Sequence, residues 1–172
     1  MSQRPMRICI LENGLTPDDL IDEFGSYPSM IEKWLSPFLP EATFTYLSVV
    51  RGETLPAPDD FEGFILTGSK HSTYERSPWM LELIALLQRL RQKRIPVFGI
   101  CFGHQIMADA YGGLNAKSDK GWGVGAQQYT YDIPDLPACS ASFVFHHDQD
   151  QSIPPQATRI GGPTHCENGE FI

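Results

Sequence analysis

The residue best placed to do chemistry is Cys101, in the segment Val97-Phe-Gly-Ile-Cys-Phe-Gly-His-Gln-Ile-Met-Ala-Asp-Ala-Tyr-Gly-Gly113. An apolar, β-type run over Ile95–Ile100 leads into a cysteine flanked at two residues' distance by Gly99 and Gly103, and a helical pattern follows at once. This is the layout of a nucleophile elbow, with cysteine at the apex where other enzymes carry serine. So tight a strand-to-helix turn favours residues without a Cβ beside the nucleophile. The apex sits at a helix N-terminus, where unpaired N–H groups and the macrodipole favour an anion. A thiolate is the form in which cysteine attacks a carbonyl. The competing reading of a cysteine in an apolar stretch is a small buried hydrophobe. The Gly-x-Cys-x-Gly frame between strand and helix favours the nucleophile.

The elements that must position this cysteine alternate in kind. Arg7–Leu11 reads as a buried strand that ends at the turn signal Glu12-Asn13-Gly14. Thr16-Pro17 reads as a helix start, and Leu20–Leu39 is helical in part, with interruptions near Gly25 and Pro28. Phe44–Val50 and Gly63–Thr67 read as strands. Ser77-Pro78 opens a helix that carries Met80, Leu83, Ile84, Leu87 and Leu90 on one face and reaches about Lys93. Beyond residue 112 the chain is β-rich: Ala126–Tyr131, Ser142–Phe145 and two short segments within residues 158–172. The glycine-rich run 121–125 lacks the preceding strand and following helix of a phosphate cradle. The order predicts an α/β domain over residues 1–172: a three-layer, mostly parallel central sheet with flanking helices and an antiparallel β extension. Ligands in such sheets bind beyond the carboxyl ends of the strands. Three polar loops fall there: Gly68–Ser72, the Cys101 elbow and His146–Asp148.

Bulk properties narrow the partners. The chain has 172 residues, 41% hydrophobic and 20% charged, with net charge −8. That balance argues against nucleic acid or an anionic membrane as the main partner. No apolar run approaches the roughly 18 residues of a membrane span. The N-terminal residues lack the apolar region of a signal peptide. Cys9, Cys101, Cys139 and Cys166 are scattered, with neither a Cys-x-x-Cys pair nor zinc spacing. These features predict a reducing, cytoplasmic setting and imply no metal or organic cofactor.

Six segments in this order resemble the class I glutamine amidotransferase superfamily, in particular stand-alone members similar to the amidotransferase domain of GMP synthase, with a flavodoxin-like core. They are Phe24-Gly-Ser-Tyr27, Leu66-Thr-Gly-Ser69, Ser77-Pro-Trp79, Gly99-Ile-Cys-Phe-Gly-His-Gln105, Gly121-Trp-Gly-Val-Gly125 and Phe145-His-His-Asp-Gln149. The resemblance implies that Cys101 attacks the side-chain amide of glutamine and forms a γ-glutamyl thioester. It implies an oxyanion hole from the backbone N–H groups of Ser69 and Phe102, each such donor contributing about 3–4 kcal/mol. Gly68, Gln105, His146, His147 and Asp148 would hold the substrate, the last three largely through backbone atoms. His104 would pack locally, and Trp122 would be core or pocket wall. Ser69 stands where many relatives carry glycine; its backbone donor survives provided the loop keeps a negative φ there. Asp150 occupies a position usually apolar in the family.

The family completes its site with a His-Pro-Glu motif on a late strand, the histidine acting as base and the glutamate orienting it. No His-Pro-Glu occurs in the 172 residues. His165-Cys166-Glu167 has the spacing, but Cys166 matches a position ahead of a further strand pair. The expectation is a form truncated at its C-terminal end, before its last strands and helix. It would be alkylated at Cys101 yet turn glutamine over poorly, because general acid–base catalysis typically contributes about 10²–10⁴-fold. The leading functional expectation is glutamine hydrolysis that releases ammonia to an acceptor, with a synthase as possible partner protein. The alternatives are a γ-glutamyl peptidase-like hydrolase on the same scaffold, a catalytically inactive binding or regulatory module, and an unrelated cysteine-elbow α/β-hydrolase.

Overall fold

The computed structural model describes residues 5–117, 121–131, 133, 139–146, 148–163 and 170–172. In chain order the elements are β1 (Arg7–Glu12), α1 (Ile21–Phe24), α2 (Tyr27–Leu35), β2 (Thr43–Ser48), β3 (Gly63–Leu66), α3 (Pro78–Lys93), β4 (Val97–Gly99), α4 (Phe102–Ala110), β5 (Leu114–Lys117), β6 (Gly123–Tyr131), β7 (Cys139–His146), β8 (Asp148–Ser152), β9 (Arg159–Pro163) and β10 (Glu170–Phe171). They group into two compact units, one running to His104 and the other starting at Gln105.

The first unit is a parallel sheet in the order β2-β1-β3-β4, the beginning of the flavodoxin-like order. Its central strand β1 is apolar almost throughout because both faces are covered. Ile8 and Ile10 lie on one face with Ile65, against Ile31 of α2, with Leu35, Leu39 and Phe44 around them. Cys9, Leu11, Phe64 and Leu66 lie on the other face and are almost fully buried. The chain passes from β1 to β2 in one direction and from β3 to β4 in the other. Right-handed crossovers therefore set α2 and α3 on opposite faces. Alternation of strand and helix, a parallel sheet and flanking helices are as the sequence predicts.

Local departures have local reasons. The helix expected from Thr16 does not start there: residues 17–20 form a turn, with Leu20 and Ile21 N–H groups donating to Pro17 O at 2.9 and 3.1 Å. Thr16 is buried instead of capping. Pro28 is no interruption. It lies in the first turn of α2, where its missing N–H is harmless, and Ser26 Oγ caps that helix by accepting from Ser29 N at 3.3 Å. On α3 the buried face includes Leu86, while Ile84 is only part-buried.

The second unit is antiparallel. One sheet has the order β10-β9-β6-β7, and β5 pairs with β8 in a two-stranded sheet. The glycine-rich segment 121–125 runs into β6, whose Gly123 pairs with His146 of β7. Trp122, expected in core or pocket wall, is exposed. Asp150 is buried because Asn115 Nδ2 donates to its Oδ1 at 3.1 Å, which satisfies a carboxylate that an apolar site would strand.

Candidate active site

In the first unit β4 ends at Gly99, α4 begins at Phe102, and Cys101 is the apex between them, exposed and not in a disulfide. Its φ is +52°. An L-residue with a side chain occupies this region only under constraint. The constraint comes from both sides. Ile100 N donates to Leu66 O at 3.0 Å and Gly103 N to Ile100 O at 2.9 Å. The flanking glycines serve close approach. A Cβ on Gly99 would lie 2.6 Å from Gly103 C and His104 N, and one on Gly103 would lie 2.6 Å from Leu66 Cβ and Leu66 O. Neither glycine has a positive φ; the strained conformation falls on Cys101 itself.

The loop after β3 meets this apex. A Cβ placed on Gly68 would be 3.6 Å from Cys101 Cβ, an ordinary contact. Ser69 keeps a negative φ, so serine in place of the family's glycine is tolerated without strain. Its Oγ accepts from His71 N at 3.2 Å. Phe102 is fully buried, its ring centroid 5.7 Å from that of Trp79. Its N–H belongs to the first turn of α4, whose donors no helical carbonyl can reach. Gly68, Ser69, Cys101 and Phe102 therefore come together at the carboxyl ends of β3 and β4.

His71 and Tyr74 follow, Tyr74 within a single 3₁₀ turn, Thr73–Glu75. Glu75 accepts from Ser72 N at 2.8 Å and pairs with His71 Nδ1 at 2.9 Å. The Ser72 N–H, aided by His71, holds the Glu75 carboxyl below its ordinary range. The His71 ring also lies edge-on to Trp79, 5.8 Å between centroids.

In the second unit Gln105, nearly buried, donates through Nε2 to the Asp148 carbonyl at 3.0 Å. Asp148 opens β8 opposite Lys117 and is buried. His146 ends β7. His147 lies outside the described residues, as do His165, Cys166 and Glu167. Among the described residues no group of three or more His, Cys, Asp or Glu is arranged to hold a metal ion, and no helix is long and apolar enough to cross a membrane.

One segment beside the loop is missing from the sequence-based site. Glu12-Asn13-Gly14 reads as a turn, but its Gly14 packs directly on the loop after β3: a Cβ there would be 2.6 Å from Ser69 Cα and 2.8 Å from Gly68 O. The signal was the pairing of a glycine with the carboxyl end of a central strand, where a ligand-binding loop belongs.

Comparison with known proteins bears on the family and the fold. Residues 20–158 match the family model of class-I glutamine amidotransferases. Gamma-glutamyl peptidase 3 of Arabidopsis thaliana is 29% identical over 119 residues, 63% of this chain and 48% of that protein. The chain thus spans about half the length of that relative. A glutamine-hydrolyzing GMP synthase subunit of Methanopyrus kandleri is 27% identical over 165 residues, 86% of this chain and 77% of that one. The crystal structure of a glutamine amidotransferase from Methylobacillus flagellatus superimposes with a TM-score of 0.80 at 26% identity, covering 99% of this chain and 66% of its own. The chain belongs to the class-I glutamine amidotransferase family.

Proposed function

We propose that this chain catalyses acyl transfer from the side-chain amide of glutamine, through a γ-glutamyl thioester on Cys101. The observation that carries this is the exposed apex cysteine held at φ +52° beside the Gly68–Ser69 loop. The thiolate sulfur forms a bond to the amide carbon. The carbonyl oxygen, now negative, is met by the N–H groups of Ser69 and Phe102. Collapse breaks the C–N bond, and ammonia leaves once its nitrogen has gained a proton. Water then cleaves the thioester, gives glutamate and restores the thiol. Gln105, His146, His147 and Asp148 hold the α-amino and α-carboxylate groups, as the family resemblance implies. The ammonia passes to an acceptor, with a synthase as partner protein, in a cytoplasmic setting.

A second reading is supported by the names of relatives such as gamma-glutamyl peptidase 3. The same thioester would form from a γ-glutamyl amide whose leaving amine is an amino acid. Incubation with glutamine and with γ-glutamyl dipeptides separates the two. Ammonia from glutamine supports the first reading, and amino acid release without ammonia supports the second. Release of neither product, with no γ-glutamyl adduct on Cys101 by mass spectrometry, overturns both and leaves a binding or regulatory module.

A further inference from the structure

We infer that Asn13, Gly14 and Thr67 are positioning residues that fix the direction of the Gly68–Ser69 peptide and thereby aim the Ser69 N–H. The inference rests on the acyl-transfer reading above and names what makes its oxyanion donor work.

A trans peptide points its C=O and N–H to opposite sides, and no cis bond occurs among the described residues. Whatever holds Gly68 O therefore dictates where Ser69 N–H points. Gly68 has no Cβ, so rotation of this peptide meets little steric resistance of its own. The structure supplies the resistance from neighbouring strands. Thr67 Oγ1 donates to Gly68 O at 3.0 Å. That hydroxyl is itself oriented, because it accepts from Asn13 N at 2.9 Å. Asn13 Nδ2 donates to Thr67 O at 3.1 Å, which closes the link between the ends of β1 and β3. Asn13 and Thr67 are fully buried, so water cannot replace these bonds and a lost partner is felt at full strength. Gly14 leaves room for Gly68 O: a methyl there would come to 2.8 Å of that oxygen. On the far side of the peptide, His71 N fastens Ser69 Oγ at 3.2 Å. An unclamped peptide would turn, and its carbonyl would then face the site with a negative dipole where the oxyanion needs a positive one.

Two reactions at Cys101 separate this role from general damage. Acylation by a γ-glutamyl 4-nitrophenyl ester passes through an oxyanion, and its leaving group departs as an anion without needing an acid. Alkylation by iodoacetamide is a direct displacement and develops no oxyanion. Both rates are measured on the full 172-residue chain and on Thr67→Val, Asn13→Ala and Gly14→Ala, with Cys101→Ala as blank. Each substitution is expected to slow acylation about 10²-fold, the scale of one oxyanion donor, and to leave alkylation within a factor of two. Thr67→Ser, which retains the hydroxyl, restores acylation. Acylation unchanged in Thr67→Val and Asn13→Ala, or falling in step with alkylation, overturns the inference. If either variant does not fold, Asn13→Asp keeps the shape, removes the Nδ2 donor and is held to the same two outcomes. Failure of the parent chain to be acylated at Cys101 is a different result: it overturns the acyl-transfer reading itself and takes this inference with it.

Discussion

Cys101 sits in a backbone conformation that costs of order 1–3 kcal/mol for a residue with a side chain, and its two glycine neighbours let the surroundings impose it. The strain is local, so its support can be tested one residue at a time. Gly103→Ala drives a methyl against Leu66. Overpacking of this kind destabilises by about 1–3 kcal/mol, and thermal melting should fall by about 2–4 °C per kcal/mol. The thiols should also separate by environment. Cys101 and Cys139 are exposed, whereas Cys9 is fully buried in β1 and burial pushes its pKa up to about 12. Iodoacetamide under mildly alkaline conditions, followed by peptide mass mapping, should mark Cys101 and Cys139 in the native protein and reach Cys9 only after denaturation. Native labelling of Cys9 would contradict the packing of the central strand. The elbow was legible in sequence because its glycines stand only two residues to either side of Cys101. The Asn13–Thr67 link was not, because its partners are 54 residues apart and nothing local in either segment names the other.

At the scale of elements, α3 covers the sheet face opposite α2 with a row of leucines that is wholly buried. Truncation of Leu87 to alanine should cost about 2–5 kcal/mol, the range for a buried Leu→Ala, visible as a lower urea midpoint with little change in slope. The short turn Thr73–Glu75 should respond to acid. Its carboxylate, Glu75, is stabilised by Ser72 N–H and by His71, so its folded pKa lies below the unfolded one. Such a group adds stability above the unfolded pKa and loses it as pH falls through the folded value. Glu75→Gln should therefore melt below the parent near neutral pH and converge with it in acid. The difference should be small, as for any exposed pair. Periodicity located α3 to its residue bounds, but it put Ile84 on the apolar face where the structure buries Leu86. A helix of this length buries a broad stripe, and only the neighbouring strands decide which flank is covered. Likewise Thr16 reads as a cap. It is buried because the four residues after it turn before the helix begins.

At the scale of the whole molecule, a parallel α/β unit is followed by an antiparallel one. The 172 residues include the Cys101 elbow but no His-Pro-Glu sequence. General acid–base catalysis serves both thioester formation, where the departing ammonia needs a proton, and thioester hydrolysis. A form extended by a His-Pro-Glu segment should release ammonia faster by about 10²–10⁴-fold, the usual scale of acid–base catalysis. Equal rates would show that another group in these 172 residues serves as base. The sequence by itself determined the class of fold, because strand and helix periods are local. It also singled out Cys101 as the candidate nucleophile, because its frame is contiguous. Tertiary structure alone decided where the strain falls, why Asp150 can be buried, and that Asn13 and Gly14 lie against the Thr67–Ser69 loop. Each of these depends on contacts between segments far apart in the chain, and such contacts are set by how strands are ordered in the sheet rather than by any neighbour in sequence.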